Sequence, residues 1–107
     1  MTIKICAESD IEPGSAVRVV VDGTPIAVVR DSTGTVHAIG DTCTHGDISL
    51  AEGFVEDDTL ECWAHGSRFS LVTGKPITLP AYDAVPVFAV SIVDGDVFID
   101  PTPVVIP

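Results

Sequence analysis

The sequence predicts an all-β fold, and three observations carry that expectation. β-Branched residues gather in short runs such as Ala16–Val21 and Val87–Val93. Asp-Gly pairs punctuate those runs at Asp22-Gly23 and Asp94-Gly95, where a hairpin turn needs the positive φ that glycine adopts cheaply. No segment sustains the 3.6-residue apolar period of an amphipathic helix.

Taken in order, Ala16–Val21 and Ile26–Arg30 form the first hairpin. Its loop is expected to run on through Thr24-Pro25, because proline cannot donate to a central ladder. Asp31-Ser32-Thr33-Gly34 makes the next turn, and Thr35–Ile39 a third strand. Residues 40–81 then change character, with seven Gly or Pro turn positions from Gly40 to Pro80. Short strands are expected there at Gly53–Val55, Thr59–Trp63, Arg68–Leu71 and Pro76–Leu79. Val87–Val93, Asp94-Gly95-Asp96 and Val97–Asp100 read as a closing hairpin. The tail 101–107 holds three prolines and is expected to be a strap on the sheet or a frayed end.

With 107 residues the chain is expected to be a single domain. A basal β unit would span about 2–39 and 82–101, with a smaller subdomain inserted at about 40–81. The composition is 46% hydrophobic and 20% charged, with a mean hydropathy of +0.43, too apolar for intrinsic disorder. No apolar run reaches the roughly 18–20 residues of a membrane span, and the N-terminus lacks the pattern of a secretory signal. A soluble, cytoplasmic protein with no membrane contact is expected. The net charge of −11 disfavours nucleic acid and favours partners with basic patches.

Three cysteines cannot all pair with one another, so a disulfide scaffold is disfavoured. Two of them sit beside histidines, in Cys43-Thr44-His45-Gly46-Asp47 and in Cys62-Trp63-Ala64-His65-Gly66-Ser67. The pattern is Cys-x-His, sixteen residues, then Cys-x-x-His. Two soft thiolates and two imidazoles on glycine-containing loops can surround a metal centre. Zinc accepts such a set in a closed tetrahedral site. A [2Fe–2S] cluster with two Cys on one iron and two His on the other uses the same four residues. The spacing suits the cluster, because each loop then gives one ligand to each iron.

These paired motifs resemble those of the Rieske ferredoxins, small electron carriers of multicomponent ring-hydroxylating oxygenases. The resemblance extends to Phe69, the turn at Thr73-Gly74, and Leu79-Pro80-Ala81, which is similar to the loop covering the cluster in that family. It runs from about residue 3 to 100. It implies a Rieske iron–sulfur fold, an antiparallel β-sandwich or barrel with a small cluster-binding subdomain, and one Rieske-type [2Fe–2S] cluster. Cys43 and Cys62 would bind the inner iron, and His45 and His65 the outer one near the surface. Gly46, Trp63, Gly66, Ser67, Phe69 and Pro80 would surround the cluster. The implied partners are a flavin-dependent ferredoxin reductase and a terminal oxygenase, served by a monomer.

Departures from the wider superfamily sharpen this expectation. The respiratory and photosynthetic members carry an extra Cys in each loop, joined as a disulfide, where this chain has Ile48 and Ala64. They also carry a Ser and a Tyr that donate to the cluster; Ser67 stands at the first position, but Phe69 has no hydroxyl. Fewer donors stabilise the reduced state less, so the potential is expected in the lower part of the roughly −150 to +300 mV Rieske range.

An enzyme role is disfavoured. A mononuclear iron site needs two His and a carboxylate, and only His37 is spare, on an expected strand as an ordinary satisfied histidine. No GxGxxG fingerprint is present. Trp63 is expected to pack against the protein, with docking as the alternative. Arg68 is expected to pair with Asp47 or Glu61, Glu56-Asp57-Asp58 to be a solvated turn with an acidic docking face as the alternative, and Cys6 to be a small buried hydrophobe. Two other functions use the same ligands: a zinc-stabilised binding module, and an iron–sulfur redox-sensing or assembly-associated ferredoxin.

Overall fold

The computed structural model describes residues 2–42, 48–64, 66–77 and 84–104. Nine strands form two antiparallel sheets among them: β1 Ile3–Ala7, β2 Ser15–Val21, β3 Thr24–Arg30, β4 Val36–Gly40, β5 Phe54–Glu56, β6 Thr59–Glu61, β7 Arg68–Ser70, β8 Val87–Val93 and β9 Asp96–Pro103. Helical structure among the described residues is limited to two 3₁₀ turns, Glu8–Asp10 and Leu50–Glu52. The all-β expectation holds.

The larger sheet has the order β1-β9-β8-β4-β3-β2, and the smaller one β5-β6-β7. The larger sheet is nearly closed on itself. Its two edge strands, β1 and β2, flank an open cleft lined by Ile3, Ile5, Val19 and Val21. Closure explains why Ile26-Ala27-Val28-Val29 is a continuous apolar run instead of an alternating one. Ile26 and Val28 point into one core with Ile11, Phe88, Val97 and Ile99. Ala27 and Val29 face a second core shared with Leu50, Leu60, Phe69 and Leu71 beneath the small sheet. A strand buried on both faces has no solvent side on which to place polar residues.

The β2–β3 hairpin turns on Asp22 and Gly23, both at positive φ (50° and 78°). β8 and β9 are joined the same way by Asp94 (φ 52°) and Gly95 (φ 80°). Two such residues make the turn whose twist matches the flanking strands. Thr24 and Pro25 therefore do not extend the loop, as expected from the sequence, but open β3 in register with Val21 and Val20. Antiparallel alternation places Val20–Pro25 at a pair that exchanges no hydrogen bonds, so β2 does not require the missing proline N–H. The Pro25 carbonyl accepts from the Asp41 N–H at 3.1 Å.

Two further boundaries differ. β9 runs on to Pro103, which pairs with Phe88, and the Val104 N–H donates to the Val87 carbonyl at 2.7 Å. The start of the tail is thus a strand, and a register shift opposite Phe88 and Val90, where β9 carries two more residues than β8, accommodates it. The expected strand at Pro76–Leu79 amounts, among the described residues, to one bridge between Pro76 and Phe69.

Candidate metal centre

The two motif segments leave the sheets at neighbouring points. β4 ends at Gly40, and Thr42 pairs with Ser49 across the base of the first. β6 ends at Glu61 and β7 begins at Arg68, and the second lies between them. Cys43, His45 and Gly46 of the first segment, His65 of the second, and Pro80 lie outside the described residues.

Cys62 is described and fully buried. Its N–H donates to the Ser67 carbonyl at 2.7 Å, and its carbonyl accepts from the Gly66 N–H at 2.9 Å. The backbone closes tightly here, with Gly66 at φ +75°. This closure ends β6 two residues earlier than the sequence suggested. The thiol lies in the apolar core with Leu50, Leu60 and Phe69, and Ile48 and Ala64 pack against that core from the two motif segments. The described parts of both segments therefore rest on one apolar floor.

The next residue faces the other way. Trp63 is 51% exposed, more open than the expected packing role implies: the turn that buries Cys62 sends its neighbour outward. Ser67 and Phe69 are fully buried, and the Ser67 hydroxyl is satisfied. A third segment is closed at its base by the Val85 N–H donating to the Gly74 carbonyl at 2.8 Å. Gly74 sits at φ +73°, where a Cβ would collide with the Val85 carbonyl, so the glycine expected to turn here is needed for both conformation and space.

Remaining residues fall into supporting places. Arg68 donates to Glu61 Oε1 at 3.0 Å and to Glu56 Oε2 at 3.2 Å, and these carboxylates push its pKa up. His37 Nε2 donates to Asp31 Oδ2 at 2.8 Å. Burial would raise the Asp31 pKa, but bonds from the Thr33 hydroxyl, His37 and two backbone N–H groups outweigh it and hold the pKa at about 2. Cys6 is half-buried, and burial together with Asp10 and Asp96 pushes its thiol pKa up.

Sequence reading missed one group at the site. Asp41 is 2% exposed and accepts from Arg18, Ser49 and the Ala51 N–H at the base of the first segment. Its signal was faint: one arginine in a valine-rich strand, and an Asp and a Ser on either side of the Cys-His pair.

The described donor fits a thiolate ligand. Cys62 is in no disulfide, and its apolar surroundings exclude the water that would compete for a metal. Only one of the four candidate ligands is described, and no group of three metal-ligating side chains forms among the described residues.

Comparison with known proteins decides which centre this donor set belongs to. The Rieske [2Fe–2S] domain family matches residues 1–89. The chain belongs to the Rieske [2Fe–2S] family. Its cofactor is one Rieske-type [2Fe–2S] cluster. It is 40% identical over 99 residues to the ferredoxin subunit of 3-phenylpropionate/cinnamic acid dioxygenase from Escherichia coli, covering 92% of each chain. Among solved structures it resembles a ferredoxin in a complex of reduced oxygenase and oxidised ferredoxin of carbazole 1,9a-dioxygenase, at 37% identity and a TM-score of 0.90, over 97% of this chain and 96% of that one. The carbazole 1,9a-dioxygenase ferredoxin of Nocardioides aromaticivorans is also similar, at 28% identity and a TM-score of 0.89, over 95% of this chain and 99% of that one. This Rieske protein is thus a ferredoxin, an electron-transfer component and not a catalyst, and the zinc-module and sensor readings are not favoured.

Proposed function

We propose that this chain is a one-electron shuttle between a flavin-dependent ferredoxin reductase and a terminal oxygenase, acting in the cytoplasm as a monomer. Cys43 and Cys62 hold the inner iron, and His45 and His65 the outer one. Residues 40–81 act as the cluster-binding subdomain of one Rieske domain. The bound cluster supplies a reversible one-electron couple at a potential above that of an all-cysteine centre.

The observation that carries this reading is the opposed placement of Cys62 and Trp63. The backbone turn 62–67 buries the thiol on the Leu50–Leu60–Phe69 floor and exposes the adjacent indole. A ligand loop built this way keeps water from the inner side and offers its outer side to a partner. Trp is favoured at such contacts because it contributes large area at low entropy cost. Phe69 gives the site a buried ring without a hydroxyl, which supports a potential low in the Rieske range.

Reduced protein mixed with a dioxygenase-type terminal oxygenase tests the proposal. The parent and Cys6→Ala are expected to retain acid-labile sulfide and support turnover. Cys62→Ala is expected to lose both. A parent that is reduced reversibly yet supports no such oxygenase would contradict the shuttle role, and a Cys62→Ala protein with full sulfide would contradict the ligand assignment.

A further inference from the structure

The two motif segments are anchored by different means. The second is closed by its own backbone, through the Cys62–Ser67 and Gly66–Cys62 hydrogen bonds. The first also has a backbone bridge at its base, Thr42 with Ser49, but adds to it one buried side chain. Asp41 Oδ2 accepts from Ser49 Oγ at 2.6 Å and from Arg18 Nε at 3.1 Å, and Oδ1 accepts from the Ala51 N–H at 2.9 Å. The Asp41 backbone adds bonds to Leu50, at 2.6 Å, and to Pro25, at 3.1 Å. Asp41 thereby joins the outgoing limb of the first segment to its returning limb, and fixes both to β2 and β3.

We propose that Asp41, clasped by Arg18, is a positioning residue for the first ligand loop: it sets where Cys43 and His45 stand relative to Cys62 and His65. This rests on the ligand assignment above. Arg18 spans 23 residues to reach Asp41, and its own side chain stays half-exposed while the carboxylate is sealed in. A carboxylate can accept from all three donors at once. An amide of the same shape has one accepting oxygen and a donating NH₂ that opposes a guanidinium or a second N–H. The consequence is local. Loosening the clasp changes the register of the first loop and leaves the backbone closure of the second intact, so the two imidazoles respond unequally.

The test uses the cluster-loaded protein and the variants Asp41→Asn, Ser49→Ala, Arg18→Leu and Arg18→Lys. Asp41→Asn and Arg18→Leu are expected to bleach about tenfold or more faster than the parent in an iron chelator, comparable to the affinity lost when the support of a metal ligand is removed. Ser49→Ala is expected to bleach faster by a smaller factor, and Arg18→Lys to recover most of the parent's lifetime. Pulsed EPR of the reduced protein should show the nitrogen hyperfine couplings of one imidazole shifted and those of the other unchanged. Ser49→Ala removes a single bond and carries the test if Asp41→Asn fails to fold. Parent-like bleaching with both couplings unchanged would overturn the proposal. So would equal shifts of both couplings with a matching fall in melting temperature, which would mean general loosening. A parent with no labile sulfide and no nitrogen couplings would overturn the ligand assignment, and the clasp with it.

Discussion

At the residue scale, the carboxylates inside this acidic protein are organisers, each holding a turn by several donors. Asp31 collects the Thr33 hydroxyl and the N–H groups of Thr33 and Thr35, and its second oxygen takes His37 from β4. Its pKa falls from 3.8 to about 2, so the charged form is favoured by folding. A depressed folded pKa contributes stability that is fully present above the unfolded value and is lost as pH falls through the folded one. The window is therefore pH 4 down to 2, and the contribution is about 2 kcal/mol. Asp31→Asn is expected to lower stability to urea by about that amount at pH 7, and most of the difference from the parent should be gone by pH 2. An undiminished difference at pH 2 would show that the turn geometry, not the charge, carries the effect. Residues of this kind explain what the sequence hid. The Cys-His pairs announce themselves because few roles use both side chains at that spacing. Asp41 has no such local mark: its partners come from Arg18 in β2 and from Ser49 and Ala51 beyond the loop.

At the scale of elements, the small sheet β5-β6-β7 is the support of the centre. Val55, Leu60 and Phe69 lie in one cross-strand row, and the Leu60 and Phe69 side chains are sealed against the core that also holds Cys62. Phe69→Ala would leave a cavity in the core that holds that thiol, and large-to-small changes of this type cost about 3–5 kcal/mol. The expected outcome is a loss of that size in denaturant unfolding, together with faster cluster loss. Unfolding free energy within about 1 kcal/mol of the parent would mean the floor collapses onto the gap, which the two-sided packing argues against. These three-residue strands were legible to within two residues because each centres one inward apolar residue, Val55, Leu60 or Phe69, between more exposed neighbours. Pro25 and the 101–103 tail were not legible, because whether a proline can stand in a ladder depends on which neighbour its missing N–H faces. That is a property of the register, fixed only once Asp22-Gly23 closes the hairpin.

At the scale of the molecule, charge is the dominant surface feature. Against 16 acidic residues stand five lysines and arginines. Among the described residues four of those are seen engaged: Lys4 with Asp96, Arg18 with Asp41, Arg68 with Glu56 and Glu61, and Arg30 with the Ile11 and Gly34 carbonyls. The field presented to a partner is therefore negative, and a basic docking face would be attracted over roughly a Debye length, about 8–10 Å near physiological salt. Association with the oxygenase is expected to slow by about tenfold or more from low to high ionic strength, read by stopped-flow mixing of reduced protein. A salt-independent rate would place the docking energy in apolar contacts such as Trp63 instead.

The measurement closest to the centre of this account is the EPR spectrum of anaerobically purified protein after dithionite reduction. Ligation by Cys43, Cys62, His45 and His65 predicts a rhombic S = 1/2 signal, with an average g below that of an all-cysteine [2Fe–2S] ferredoxin. A silent spectrum from a sample holding stoichiometric zinc and no acid-labile sulfide would contradict it, and the four residues would then hold a structural metal.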